Sequence, residues 1–186
     1  MSPINKLADH YGEHIRVPWQ HGLPAANRVV ILVYEKELER TLRGKLGEFE
    51  QRTRDAGHGW QLCDLTAAFA LWMNDMDPSY REAYFKNPEY LPRIDTPFLG
   101  FVARMVREHL TTLGENDVVA LLGAGSLFGF VRLSDVIREV DSAIQGRLVV
   151  FFPGQRDGSN YRLLDARDGW NYRAVAITCH STGAVA

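Results

Sequence analysis

The sequence predicts a three-layer α/β fold: a mostly parallel sheet with helices on both faces and a C-terminal antiparallel hairpin. Three observations lead there. Short apolar runs alternate along the chain with stretches of helical period, the pattern of βαβ units. The runs Val29–Val33, Asp117–Leu122 and Arg147–Phe152 are nearly solid rather than alternating, as strands covered on both faces are. Near the end, Arg167-Asp168-Gly169 places an Asp-Gly turn signal between two strand-like segments.

The elements follow in order. Residues 1–27 hold three histidines, three prolines and little periodicity, and read as an arm or a short helix ahead of a single domain over 28–186. Arg28–Tyr34 is the first strand. Glu35–Ala56 is a long helix in which Leu38, Leu42, Leu46 and Phe49 form one apolar stripe, while Gly44 and Gly47 weaken it by about 1 kcal/mol each relative to alanine. Trp60–Leu65 is a second strand and Thr66–Met73 a short helix. Asn74–Asp95, with Pro78, Pro88 and Pro92, is expected to be irregular. Phe98–Leu113 is a helix with Phe98, Phe101, Val102, Met105, Val106, His109 and Leu113 on one face, stopped by Gly114. Asp117–Leu122 is the third strand, running into Gly123-Ala124-Gly125-Ser126-Leu127. Ser134–Ile144 is a helix, and Arg147–Phe152 a fourth strand closed by Pro153-Gly154. Asn160–Asp165 and Asn171–Ile177 form the hairpin.

Composition bounds the function. The 186 residues are 46% hydrophobic and 24% charged, as in a soluble globular protein. The apolar stretches, such as Val29–Tyr34 and Ala67–Met73, are far short of the ~20 residues of a membrane span. No secretory leader is visible at the N-terminus, and two cysteines, Cys63 and Cys179, make no disulfide framework; a reducing cytoplasm is the expected compartment. A net charge of −2, evenly spread, argues against direct nucleic-acid binding.

Catalytic motifs fall short. The only Gly-Lys pair, Gly44-Lys45, has Glu39 in place of the leading glycine of a phosphate loop and Leu46 in place of its Ser/Thr. Gly123-Ala124-Gly125 follows a strand as a dinucleotide fingerprint does, but the third glycine is displaced to Gly129 and Phe128 fills its site. No Gly-x-Ser-x-Gly surrounds Ser126, no second histidine or cysteine pair has metal-ligand spacing, and no Glu-x-Lys accompanies Asp165 and Asp168. No cofactor is therefore expected. The surviving enzymatic alternative is a nucleotide- or phosphate-binding hydrolase with a degenerate glycine loop at Gly123–Ser126.

The aromatics say more. Tyr80, Tyr84, Phe85 and Tyr90 lie in the Pro-interrupted segment and cannot all be core. Tyr161, Trp170 and Tyr172 accompany Arg162, Arg167 and Arg173 on the terminal hairpin. Tyr, Trp and Arg together are the composition of binding hot spots; the competing reading is a hydrophobic rim over one sheet face. Arg162, Arg167, Trp170 and Tyr172 are the predicted contact residues.

From Asp117 onward these pieces form a connected pattern. An apolar strand leads to Leu122-Gly123-Ala124-Gly125-Ser126-Leu127-Phe128, then Arg132 and a helix through Val136. Val149-Val150-Phe151-Phe152-Pro153-Gly154 follows, then Tyr161-Arg162-Leu163-Leu164 and Asn171-Tyr172-Arg173-Ala174. This resembles the BrxB family of BREX phage-resistance systems, in which a Gly-x-Gly-x-x-Phe stretch precedes a strand ending in Phe-Pro-Gly and a Tyr-Arg-Ala close. Gly129 departs from the pattern, standing where proline is usual. The resemblance marks Gly123, Gly125, Phe128, Pro153 and Gly154 as structural loop positions and carries over no catalytic residue. It implies a non-catalytic subunit of an anti-phage complex. The implied partners are a PglZ-type, alkaline-phosphatase-like protein, an ATPase and a DNA methyltransferase.

Overall fold

The computed structural model describes residues 2–20, 22–93, 95–157, 160–164, 170–171 and 174–180, with the backbone alone at 91–93, 95, 170 and 171. The helices are α1 (Pro3–Arg16), α2 (Glu39–Arg43), α3 (Leu46–Asp55), α4 (Ala68–Asp75), α5 (Pro78–Lys86), α6 (Asp95–Thr111) and α7 (Leu133–Val140). The strands are β1 (Val29–Tyr34), β2 (Gly59–Asp64), β3 (Asp117–Leu122), β4 (Arg147–Asp157), β5 (Asn160–Leu163), β6 (Trp170–Asn171) and β7 (Val175–Thr178).

The sheet runs β2-β3-β4-β1-β7, every neighbouring pair parallel. Because successive strand residues point to opposite faces, β1 feeds two cores. Val29, Ile31 and Val33 pack with α4, α6 and α7, whereas Val30, Leu32 and Tyr34 pack with α1, α2 and α3. The three-layer α/β reading is therefore correct. Among the described residues no helix is long and apolar enough to cross a membrane.

Residues 3–16, expected as an arm or short helix, form α1. Ser2 caps it and Pro3 starts it, and it buries Ile4, Leu7, Ala8, Tyr11 and Ile15 against the sheet. The Tyr11 hydroxyl lies 2.6 Å from Thr53 Oγ1 on α3, and Arg52 donates to Asp9 at 2.5 Å. Phe49 and Phe151 meet edge to face at 5.1 Å in the same layer; replacing either ring with alanine would cost about 3–5 kcal/mol.

Four sequence expectations need correction. The long helix over 35–56 is a 3₁₀ turn followed by two helices, because the chain closes α2 at Gly44, where the Gly44 N–H bonds Arg40 O at 3.2 Å and the Lys45 N–H bonds Leu42 O at 2.8 Å. The segment 74–95 is not irregular. Pro78 occupies the first helical turn, where a missing N–H costs nothing, and Asp77 Oδ1 accepts from Ser79 N at 2.8 Å, so the proline starts α5 rather than breaking it. β4 does not close at Pro153-Gly154. Pro153 lies opposite the end of β1, and beyond it the strand changes partner, pairing antiparallel with β5 from Gly154↔Leu163 to Asp157↔Asn160. Finally, the hairpin's second arm divides. Trp170–Asn171 pairs antiparallel with β5, but Val175–Thr178 lies parallel to β1. β1 has an edge that β4 leaves open, and the apolar Ala176 and Ile177 are buried by filling it.

Candidate functional site

In open parallel sheets ligand sites form outside the carboxyl ends of the strands, where consecutive connections leave in opposite directions. Here the chain leaves β1 toward α2 and α3 on one face, and leaves β3 toward α7 on the other. A cleft of about 230 Å³ opens between these exits, lined by Lys36, Glu39, Arg43, Thr66, Gly123, Gly125, Ser126, Pro153 and Leu164.

Its polar residues form one connected row. The Tyr34 hydroxyl, at the end of β1, donates to Glu39 Oε2. Arg43, one turn on, donates from Nε to Glu39 Oε1 at 2.7 Å and from Nη2 to Thr66 Oγ1 at 2.8 Å, and its Nη1 lies 3.4 Å from Asp64 Oδ2. Asp64, at the end of β2, accepts from the Thr66 amide at 2.9 Å and from its hydroxyl. Burial pushes the Asp64 carboxyl up, but the Thr66 bonds and Arg43 outweigh it and hold the group below its ordinary value. The Tyr34 phenol is pushed far up, first by burial and then by the bond it donates to the Glu39 carboxylate and by that group's charge. Burial, with Asp64 beside it, pushes the Cys63 thiol up to about 12. The row thus holds a fixed phenol and a carboxylate kept ionised, with the Cys63 thiol buried in the core beside it, an arrangement suited to bracing the strand ends.

The glycine loop packs into the same corner. Gly123 has φ +78°, and a Cβ there would stand 2.5 Å from Thr66 Oγ1 and 2.7 Å from Thr66 N. A Cβ on Gly125 would stand 3.4 Å from Pro153 Cγ. The Ser126 hydroxyl lies 2.8 Å from both Leu65 O and Gly123 O, which share its proton. A four-residue 3₁₀ turn follows Gly123, and α7 begins only at Leu133. The glycines therefore let Thr66 and Pro153 approach the loop closely.

The other predicted positions scatter. Gly154 is required where it stands: a Cβ would lie 2.0 Å from Arg162 O in the paired strand. Phe128 is 47% exposed. Arg162 is exposed and lies 3.3 Å from Asp157. Tyr161, grouped with the hot-spot aromatics, is buried against Phe152, ring centroids 5.8 Å apart. Trp170 pairs with Tyr161 through its backbone; its side chain, like all of Arg167 and Tyr172, lies outside the described residues.

The Pro-interrupted aromatics divide as well. Tyr84 turns inward onto Trp72, with centroids 6.2 Å apart, while Tyr80 and Phe85 are about 70% exposed. Leu71 and Tyr90 are exposed nearby in sequence. Sequence reasoning did not find the Glu39–Arg43–Asp64–Thr66 row. Its only local signals are a Glu and an Arg four residues apart and an Asp-Leu-Thr at a strand end.

Residues 90–177, just under half of the chain, match the family model described as BREX protein BrxB. No curated protein and no solved structure is matched.

Proposed function

We propose, from the match of residues 90–177 to the BrxB model, that the chain is a BrxB-like protein-interaction subunit of a BREX-type anti-phage complex that docks a PglZ-type, alkaline-phosphatase-like partner without catalysing a reaction of its own. The family match carries this reading. Two structural features support it. At the cleft by the strand ends, Arg43 is paired with Glu39 and Asp64, and the glycine loop packs closely on Thr66. Large aromatics stand in solvent instead, notably Tyr80 and Phe85 on α5, and contacts of this kind carry much of the energy in protein interfaces.

The test is co-elution of the chain with a PglZ-type protein from a host that expresses both. Two double variants locate the contact: Trp170→Ala with Tyr172→Ala on the terminal segment, and Tyr80→Ala with Phe85→Ala on α5. Loss of the complex in one of them, with the isolated chain still folded, supports docking and names the surface. Recovery of the chain alone from such a host would overturn the reading. The hydrolase alternative predicts a thermal shift with ATP or GTP and Mg²⁺, since ligand at 100 times its dissociation constant adds about 2.7 kcal/mol.

A further inference from the structure

The opposite end of the sheet holds a second cavity. Four parallel strands begin there, and the residue at or just before each start faces one space: His58 before β2, Asn116 before β3, Arg147 at the start of β4 and Arg28 before β1. The register places these starts side by side, with Gly59 opposite Asp117, Val118 opposite Arg147 and Val29 opposite Leu148. Trp19, from the loop after α1, forms a wall. The cavity measures about 430 Å³, within the range of small-molecule sites.

Its chemistry is cationic and aromatic. Arg147 is only 8% exposed, yet among the described residues no carboxylate pairs with it. Among the described residues it makes one hydrogen bond, from Nη1 to Gly146 O at 3.3 Å, and its guanidinium lies 4.5 Å from the Trp19 ring. Arg28 donates from Nε to Leu23 O at 2.8 Å and from Nη1 to Ile144 O at 2.5 Å and Gln145 O at 3.3 Å, also without a carboxylate among the described residues. This leaves Nη2 of Arg28, and Nε and Nη2 of Arg147, without an acceptor among the described residues. Glu115 also lines the cavity. His58 stacks on Trp19 at 3.8 Å and 8°; its Nδ1 donates to Asn116 Oδ1 at 2.9 Å, leaving Nε2 for other contacts. Burial and then the charge of Arg28 lower the Arg147 pKa, and burial and then Arg147 lower that of His14. A buried guanidinium lacking a counter-charge is costly. Two guanidiniums with unused N–H groups match the oxygens of a phosphate.

We propose that the cavity between Arg28, Arg147, Trp19 and His58 binds a phosphate-bearing small anion, either free phosphate or a phosphomonoester such as a mononucleotide. The test is calorimetric titration of the full chain with inorganic phosphate and with AMP, against sodium chloride at equal ionic strength. Saturable binding of at least one probe is expected, weakened at least tenfold by Arg147→Met. Gln145→Glu, at an exposed lining position, places a carboxylate beside the arginines without disturbing the core, and it too should weaken binding at least tenfold. It decides the matter if Arg147→Met does not fold. Much tighter binding of AMP than of phosphate would identify a nucleotide with its base on Trp19; equal binding would identify the phosphate group alone. No saturable heat with either probe, or wild-type affinity in Gln145→Glu, would overturn the proposal.

Discussion

At the residue scale, several side chains are fixed by contacts that come from distant parts of the chain. Gly123 is the clearest case. Its positive φ alone favours glycine, and Thr66 fills the space a Cβ would need. Gly123→Ala should therefore destabilise the fold by about 1–3 kcal/mol, seen as a lower urea midpoint with an unchanged slope. An unchanged midpoint would mean that the Thr66 contact yields freely. Tyr161 and Phe128 show the opposite difficulty. Both are aromatic residues near turns, yet one is buried on Phe152 and the other is nearly half exposed. Composition ranks them alike, and only their packing separates them.

At the element scale, the helix after β1 was readable in its stripe but not in its break. Leu42 and Phe49 are buried as the period requires, while Gly44 ends α2 and Lys45 precedes α3. Gly47 lies inside α3, and a Cβ there would meet nothing within 4 Å. Gly47→Ala should thus stabilise the protein by about 0.5–1 kcal/mol through helix propensity and a less flexible unfolded chain, measured as a rise in melting temperature. A fall would mean that the α2–α3 junction uses the glycine's freedom. Proline misled the reading of 74–95 because its effect depends on position: inside a helix it breaks the ladder, whereas Pro78 sits where no ladder bond is due. β4 differs from its expected range at one end and β7 at both, since strand partners are a property of the sheet and not of the segment.

At the scale of the whole molecule, the two ends of the sheet differ in electrostatics. The carboxyl ends hold alternating charges that satisfy one another. The amino ends hold two arginines with His14 in the field of one of them. Burial, and then Arg147, hold the folded pKa of His14 below its ordinary value. The unfolded chain therefore takes up this proton first as pH falls. The His14 contribution is complete above pH about 6.5 and is lost progressively below it, down to the folded pKa. Melting temperature should drop between pH 7 and pH 5, and His14→Gln should flatten that slope. An unchanged slope in the variant would assign the drop to other groups. Asp64 acts lower on the scale: its carboxyl is held below the ordinary value, so its contribution is present above the unfolded pKa and lost as pH falls through the folded one.

The sequence by itself determined the layer architecture and most strand positions, because solid apolar runs have few places to go but the middle of a covered sheet. β3 was read to the residue, and β1 to within one. The family pattern around Gly123–Phe128 and Phe152–Gly154 was also visible, since it is carried by short contiguous words. The tertiary structure alone decided that β7 joins β1, that α1 completes one helical layer, and that Glu39, Arg43, Asp64 and Thr66 form one bonded row. It also decided that His58, Asn116, Arg147 and Arg28 share a cavity. Each of these residues looks ordinary in its own segment. They meet because parallel strands align their starts and ends across the sheet, and that register is set by pairing between segments as far apart as 28 and 147.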